Sequence, residues 1–267
     1  MKIEYGKNIT IKANAQIGEN VILEDGVYID YNAVIRNNVH IKKNTYIGCN
    51  CIIGEYTRDF FEKGMSSNHL TIIGENSIIR SGTIIYADCT IDSCFQTGHR
   101  ATIRENTVIG QNVRIGTSTD VQFECTIQNN VSVHSNVFIG EKTRIEDYVW
   151  IFPGVTITND PMPPSNILRP VTIKSFASIA ARAVLLPGIV VGQNALVGAG
   201  AVVTSDVNDE EVVVGNPAKK IKKVSEIKDK VTGERHYPWP LYFDRGMPWE
   251  DMGYLEWSIQ SKESTEQ

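Results

Sequence analysis

The sequence predicts an all-β fold: a left-handed parallel β-helix of about ten coils with two protruding loops, plus a short C-terminal helix and an extended aromatic tail. Three observations predict this fold: an aliphatic residue at every sixth position, a small or β-branched residue four positions after it, and two breaks in the period. A six-residue period matches neither the 3.6-residue period of an amphipathic helix nor the alternation of an ordinary strand.

The aliphatic residues recur in three segments, each of which keeps the same register. The first segment contains Ile11, Ile17, Leu23, Ile29, Ile35, Ile41, Ile47 and Ile53. The second segment runs from Ile73 to Ile157 and is interrupted only by Thr97, and the third runs from Ile173 to Val203. Three hexads close a triangular coil of about 18 residues, so the aliphatic side chains stack along the inside of one prism.

Composition limits the possible functions. The chain has 267 residues, 42% of them apolar, and a formal net charge of −5 with both signs spread along it. It contains no basic stripe for nucleic acid, no apolar run long enough to cross a membrane and no secretory signal, which predicts a cytoplasmic protein. The five cysteines show no metal-site spacing, so we interpret them as free thiols with a structural role.

The breaks in the period define the expected organisation of the chain. We expect the β-helix domain to span residues 1–218, with loops at 54–72 and 158–172, because a coil of fixed length has no spare residues. Residues 219–267 are expected to form a C-terminal helix and an aromatic tail. The predicted helix carries Ile221, Val224, Ile227 and Val231 on one face. The tail, from His236 to Trp257, is expected to pack over the prism or over a neighbouring subunit.

The chain resembles the hexapeptide-repeat acyltransferases over residues 10–219. The resemblance rests on the hexads, on the Gly-Ala-Gly-Ala-Val-Val segment at 198–203 and on Gly-Asn-Pro-Ala-Lys at 215–219, which look like that family's coenzyme A end. The segments 127–133 and 156–160 more narrowly resemble those of nucleotide-sugar N-acetyltransferases. Within that group, the size of the chain and its aromatic tail look most like the enzymes that acetylate a dTDP-linked 3-amino-3,6-dideoxyhexose for surface glycan synthesis. The resemblance implies acetyl-CoA as co-substrate, no metal, and a homotrimer with active sites between subunits.

Positions 18 apart in an unbroken solenoid lie above one another, which places the candidate residues. Glu141 and Asn159 are expected to stack on one corner, with Asp160 beside them at the root of the second loop. His134 is expected to stack on another corner, over Gly116. His134 or Asp160 is the candidate base, and Glu141, Asn159 and Asp160 are candidates to orient the amine.

The remaining candidates bind the two substrates. Asn130, within the segment 127–133, is a further acceptor-binding candidate. The side chains of Arg80, His99 and Arg100 are expected to hold a pyrophosphate. The residues expected to bind coenzyme A are Ala181, Ala199, Gly200, Pro217, Lys219 and Lys220.

Several alternatives remain open at this stage. The proton of the amine can leave with the departing thiolate, so no side-chain base is required. An O-acyltransferase of the lipid A type, an enzyme for a 4-amino or UDP-linked sugar, and a non-catalytic solenoid share the predicted fold. A zinc-dependent carbonic anhydrase of this fold would need three converging histidines, and the five histidines show no such cluster in the sequence.

Overall fold

The computed structural model describes residues 4–63 and 69–265, which wind as the predicted parallel β-solenoid. Three parallel sheets form its wall, and we name them faces A, B and C. Each coil contributes one short strand to each face. Residues 64–68 of the predicted first loop and the terminal residues 1–3 and 266–267 lie outside the described residues.

The strands are two to five residues long. Face A contains Glu4–Tyr5, Ile22–Leu23, Val39–Ile41, Thr71–Ile73, Thr90–Ile91, Val108–Ile109, Thr126–Ile127, Arg144–Ile145, Thr172–Ile173 and Val190–Val191. Face B contains Thr10–Ile11, Tyr28–Ile29, Tyr46–Ile47, Ile78–Ile79, Gln96–Thr97, Arg114–Ile115, Ser132–Val133, Trp150–Ile151, Ser178–Ile179, Leu196–Val197, Glu211–Val214 and Lys219–Lys223. Face C contains Gln16–Ile17, Val34–Ile35, Ile52–Glu55, Ile84–Tyr86, Thr102–Ile103, Asp120–Val121, Phe138–Ile139, Thr156–Ile157, Val184–Leu185 and Val202–Val203.

From Leu23 to Val203, the aliphatic residues of the hexads point into the prism and form one continuous core, whereas Ile11 in the first coil is exposed. Ile115, Val133 and Ile151 stand in register on face B and are all buried. The buried cysteines belong to this core, and burial raises the pKa of Cys125 to about 12. A thiol with so high a pKa is protonated at neutral pH, which agrees with the structural role predicted for the buried cysteines.

Each corner turn contains one residue in the left-handed region of backbone conformation. Asn occupies many of these positions, for example Asn112 (φ 53°) and Asn136 (φ 58°), because Asn tolerates positive φ better than most residues. Two corners instead carry aromatic residues there, Tyr148 (φ 62°) and Phe176 (φ 64°). Bulky residues in this conformation are strained. Both residues contact the C-terminal tail.

Cys94 also lies at a left-handed position (φ 59°), and its side chain is exposed. We expect Cys94→Asn to stabilise the fold by about 1 kcal/mol, since Asn relieves the backbone strain at this corner. Urea denaturation followed by circular dichroism measures the change. Cys49→Asn is the matched control, because Cys49 is not among the positive-φ residues. An unchanged midpoint for Cys94→Asn would contradict this explanation of the corners.

Both predicted loops leave the prism, and the strand pairing resumes after each, with a one-residue register shift between Ile85 and Tyr86 beside the first loop. Ile53 pairs with Ile85 across the first loop, and Ile157 pairs with Leu185 across the second. These spacings of 32 and 28 positions exceed the normal 18 by 14 and 10 residues, as the sequence predicts. The first loop contains a short helix, α1 (Arg58–Lys63).

The predicted helix at residues 221–231 is wrong. Lys219–Lys223 forms the last strand of face B, antiparallel to Glu211–Val214, and Val224–Glu226 forms a single 3₁₀ turn. The open edge of face B offers unpaired backbone groups, and pairing with them outweighs a weak helical pattern. The C-terminal helix, α2, lies further on at Tyr254–Thr265.

The aromatic tail packs on the prism at the corner between faces A and B. Trp249 is fully buried there, with its ring 5.2 Å from that of Tyr148. The indole N–H of Trp239 donates to the carbonyl oxygen of Phe176 at 2.9 Å. The ring of Tyr148 stacks on that of Phe176 with centroids 4.8 Å apart. These contacts make a second, aromatic core outside the prism.

Candidate functional site

The corner between faces B and C, which we call the BC corner, carries one continuous row of candidate residues. Strand register places Gly116, His134 and Phe152 one above another in successive coils. Arg80 lies in the same row three coils before His134, about 14 Å away along the prism. The row continues beyond Phe152 to Ala180 and Gly198. The stacking expected for His134 is therefore present.

Glycine in this row has a structural cause. A Cβ added at Gly116 would lie 2.3 Å from the carbonyl carbon of His134, so only glycine fits between these two coils. Gly98 and Gly116 are the two residues of this row between Arg80 and His134, and both have a neighbouring coil too close for a Cβ. The row therefore has no side chains between Arg80 and His134. The guanidinium of Arg80 donates to the carbonyl oxygen of Thr97 at 2.6 Å, which directs it towards this bare strip. His99 and Arg100, in the neighbouring turn, are exposed.

His134 is half-buried among aromatic rings. Its ring stacks on that of Phe152, with centroids 4.9 Å apart and an interplanar angle of 15°, and lies 6.2 Å from that of Trp150. Burial lowers the pKa of His134 from its usual value, because the surrounding rings disfavour the charged imidazolium. The imidazole is therefore neutral at neutral pH and can accept a proton.

His134 opens into a cavity of about 400 Å³ between face B and the C-terminal tail, which we call the tail cavity. Its walls are mainly aromatic: Trp150, Phe152, Tyr237, Trp239 and Phe243. Its polar lining consists of His134, Ser178, His236 and Arg245. None of these lining residues in the described part of the chain is acidic. Such a volume with a few polar groups is typical of a small-molecule site.

Trp150 connects the prism to the wall of the tail cavity. Its ring meets that of Trp239 at 6.0 Å and that of Phe243 at 5.4 Å, both edge to face. Ser132 and Ser178, the outward residues on either side of Trp150, are small and buried. They leave the space in which the tail packs against face B.

A second group of candidates occupies the corner between faces C and A, the CA corner. The side-chain amide of Asn159 donates to the carboxylate of Glu141 at 2.8 Å, which confirms their predicted stacking. The carboxylate of Asp160 accepts bonds from the Ser165 hydroxyl (2.6 Å) and from the backbone N–H groups of Met162 and Ser165 (2.9 and 2.7 Å). These bonds, chiefly the one from the Ser165 hydroxyl, lower the pKa of Asp160.

The structure does not bring all candidates together within one chain. His134 and Glu141 lie at opposite edges of face C, and the chain between them spans about 20 Å or less. Asn130 lies on the third corner, where it is buried and its side-chain oxygen accepts a bond from the Asn112 amide at 2.8 Å. This amide ladder gives Asn130 a structural role, away from both other groups.

The coenzyme A candidates follow the BC corner towards the C-terminal end. Gly200 donates its backbone N–H to the carbonyl oxygen of Ala181 at 2.9 Å, next to Ala199. A Cβ added at Gly200 would meet no atom within 4 Å, so this end of the corner is open. The residues therefore fit a long, thin ligand lying against the backbone.

The final hairpin of face B lies beside this open end. Pro217 stands in its turn, and Lys219 and Lys220 begin its last strand, where both are exposed. Lys220 donates to Glu211 at 2.6 Å, which lowers the pKa of Glu211. Lys219 forms no ion pair within the described ranges 4–63 and 69–265, so it is the better placed of the two to meet an anion.

Sequence reasoning missed the residues that build the tail cavity. Trp150, Ser178, His236, Tyr237, Trp239, Phe243 and Arg245 were not among the candidates. The one available signal was a large aromatic residue, Trp150, at an outward position of a strand, together with an aromatic tail of unassigned role.

The described residues contain neither a metal-binding cluster nor a membrane-spanning helix. They contain no group of three or more His, Cys, Asp or Glu residues arranged to hold a metal ion. Within the same ranges, no helix is long and apolar enough to cross a membrane.

Comparison with known proteins supports the repeat assignment. A family model described as the hexapeptide repeat of succinyl-transferase matches residues 100–135 and 179–205. The 2,3,4,5-tetrahydropyridine-2,6-dicarboxylate N-acetyltransferase of Staphylococcus aureus (strain JH9) is 51% identical over 67 residues, 25% of this chain and 27% of that protein. The chain thus spans about a quarter of the length of the curated relatives it matches.

Two solved structures match this chain at low sequence identity and with low TM-scores. The UDP-N-acetylglucosamine acyltransferase of Bacteroides fragilis is 20% identical, with a TM-score of 0.41, over 83% of this chain and 70% of that one. The GDP-perosamine N-acetyl transferase of Caulobacter crescentus, solved with CoA and GDP-perosamine, is 18% identical, with a TM-score of 0.29, over 53% of this chain and 57% of that one. The activities in these two names belong to the matched proteins.

Proposed function

We propose that the protein is an acetyl-CoA-dependent N-acetyltransferase that acetylates the amino group of a dTDP-linked 3-amino-3,6-dideoxyhexose. The observation that carries the proposal is the neutral, half-buried His134, which stands on a bare corner and faces an aromatic cavity without acidic lining in the described residues. The hexapeptide-repeat match, and the acetyltransferase that shares 51% identity over part of the chain, support the reaction class.

The lining of the cavity suits an amine nucleophile. Within one chain, the lining residues described include no carboxylate that would hold the amine as an ammonium ion. Arg245, the one cationic side chain in the lining, disfavours it further. The site therefore favours the free amine, which is the form that attacks a thioester.

The reaction forms one bond and breaks another without any oxidant or metal. The amine nitrogen attacks the thioester carbonyl carbon, and a backbone N–H at the corner stabilises the oxyanion of the tetrahedral intermediate. The carbon–sulfur bond then breaks and the thiolate leaves. The proton of the amine passes to the imidazole of His134 and then to the thiolate, or to the thiolate directly.

Coenzyme A would lie along the open end of the BC corner. Its pantetheine arm would follow the backbone at Ala181, Ala199 and Gly200, which presents no large side chains. The phosphates would meet Lys219 and Lys220 beside Pro217. This arrangement directs the thioester towards His134.

The acceptor site is proposed to need a second copy of the chain. Glu141, Asn159 and Asp160 lie on the CA corner and His134 on the BC corner, at opposite edges of face C, so the proposal takes the two groups that meet one acceptor amine from different protomers. In a homotrimer, the CA corner of one protomer would face the BC corner of the next. Arg80, His99 and Arg100 would then bind the pyrophosphate at its nucleoside-side phosphate, along the bare strip of the BC corner.

The proposal is tested by thiol release from acetyl-CoA with a panel of dTDP- and UDP-linked 3-amino and 4-amino sugars. We expect turnover with a dTDP-3-amino-3,6-dideoxyhexose and little with the matching 3-hydroxy sugar. Thiol release only with hydroxyl acceptors would identify the protein as an O-acyltransferase instead. Coenzyme A binding without turnover on any acceptor would overturn the proposal.

Asn159→Ala and Asp160→Ala are expected to raise the acceptor KM about tenfold or more and to change kcat less, because these side chains position the acceptor and the loop. The three bonds that Asp160 accepts, and its lowered pKa, make it a poorer base than His134. Steady-state kinetics at saturating acetyl-CoA separate the two parameters. Asn166→Ala, an exposed position in the same loop, is the control. A loss confined to kcat for Asp160→Ala would assign the base to Asp160 instead.

A further inference from the structure

We propose that the tail cavity binds the sugar 1-phosphate part of the acceptor, with Arg245 on the phosphate attached to the anomeric carbon and the aromatic rings against the deoxy sugar. This inference rests on the proposed function and assigns a role to the C-terminal tail. The ligand class is a 6-deoxy amino sugar joined to a phosphate.

The position of the cavity beside His134 supports this assignment. His134 is itself part of the lining, and its ring touches those of Phe152 and Trp150, which form adjoining walls. A sugar held against these rings places its amine next to the imidazole. The acetyl group of the donor is too small to need a space of about 400 Å³.

The chemistry of the walls favours a sugar with few hydroxyl groups. Five of the nine lining side chains are aromatic, and the hydrogen-bonding groups besides Arg245 are those of Ser178, Tyr237 and the two histidines, with the indole N–H of Trp150, which is buried without a partner in the described residues. A hydroxyl buried against rings without a partner costs free energy, whereas a methyl group at the same place gains it. An apolar pocket rejects an added hydroxyl by up to about 100-fold.

Arg245 is the side chain of the lining that suits an anion, and Arg114 lies close to the next residue of the tail, Gly246. Arg245 lines the cavity, and its guanidinium lies 5.8 Å from the ring centroid of Phe243. The guanidinium of Arg114 approaches from face B, within 2.9 Å of where a Cβ on Gly246 would lie. Across the described ranges of the chain, neither arginine has an ion-pair partner. The neighbouring carboxylate of Glu250 accepts the backbone N–H of Gly246 at 2.7 Å.

The unpaired guanidinium of Arg245 suits a phosphate, which accepts two parallel hydrogen bonds from a single arginine. The anomeric phosphate is the anion nearest to the sugar ring in any nucleotide sugar. The phosphates of coenzyme A are the other possible source of the anion, and the experiment distinguishes the two.

The test compares Arg245→Gln with wild type and with Arg235→Gln, an exposed tail position outside the cavity lining. We expect Arg245→Gln to raise the acceptor KM about 10- to 100-fold and to leave the acetyl-CoA KM unchanged. Arg235→Gln is expected to resemble wild type. A rise in the acetyl-CoA KM alone, or no change in either KM, would overturn the proposal.

Direct binding separates failure of this site from failure of the proposed reaction. Quenching of tryptophan fluorescence reports ligands in the cavity, because Trp150 and Trp239 form its walls. An amino sugar 1-phosphate that quenches wild type but not Arg245→Gln would support the site even if no thiol is released. Equal quenching in both proteins, or quenching by coenzyme A alone, would overturn it. We also expect a 6-deoxy sugar 1-phosphate to bind more tightly than its 6-hydroxy counterpart.

Discussion

His134→Ala is expected to lower kcat by about 100- to 10,000-fold, which is the usual contribution of a well-placed general base. His134 is the one candidate base whose environment keeps it neutral: burial lowers its pKa, and the Phe152 ring holds it in place at 4.9 Å. Thiol release at saturating concentrations of both substrates measures kcat. His40→Gln, on face A and hydrogen-bonded to Glu24, is the matched control.

The pH profile gives the same prediction an independent readout. A base must be unprotonated to act, so wild-type kcat/KM should show a fall as the pH drops through the lowered pKa of His134. Titration of the acceptor amine adds a separate fall from higher pH, which wild type and variant share. His134→Gln should lose the first dependence along with the rate. A decrease of less than about threefold in kcat, with an unchanged pH profile, would mean that the thiolate takes the proton directly.

The coils and loops were predictable because they depend on local pattern. Each hexad repeats the same strand and corner, and the core position is set by residues such as Ile115 and Val133 without reference to distant sequence. Counting by 18 was therefore enough to stack Asn159 on Glu141 and His134 on Gly116. The insertions were visible as breaks in that count.

The C-terminal part was less predictable because tertiary contacts decide its structure. Ile221 fits a helical pattern, yet its segment pairs with the open edge of face B. The tail follows no period at all, and its position depends on Tyr148 and Phe176, which are distant in sequence. No spacing rule could have shown that Arg245 lies in the same cavity as His134.

The candidate site was only partly predictable, because local register places some of its residues and tertiary contacts place the others. Register gives each candidate its corner, whereas the placement of the tail beside His134 depends on contacts that the register does not encode. Asn130 is an example: its place in a resembling motif suggested substrate binding, whereas the structure shows it buried in an amide ladder with Asn112.

Trp249→Ala is expected to release the C-terminal tail while the prism stays folded. Trp249 is fully buried, its ring lies 5.0 Å from that of Trp257 and 5.1 Å from that of Tyr254, and its N–H donates to the carbonyl oxygen of Phe243. Removing such a side chain lowers the free energy of unfolding by about 3–5 kcal/mol. This loss exceeds the stability expected for a tail that packs outside the main core. Each coil of a solenoid is stabilised by its neighbours, so the loss stays local.

Limited proteolysis and amide hydrogen exchange across residues 236–257 measure the release, and circular dichroism follows the prism. Trp257→Ala, at a half-buried position of the same cluster, should give a smaller effect. Because Trp239 and Phe243 wall the tail cavity, Trp249→Ala should also raise the acceptor KM without changing the acetyl-CoA KM. Unchanged protection of the tail, or loss of the β-sheet signal together with it, would refute a separately docked tail.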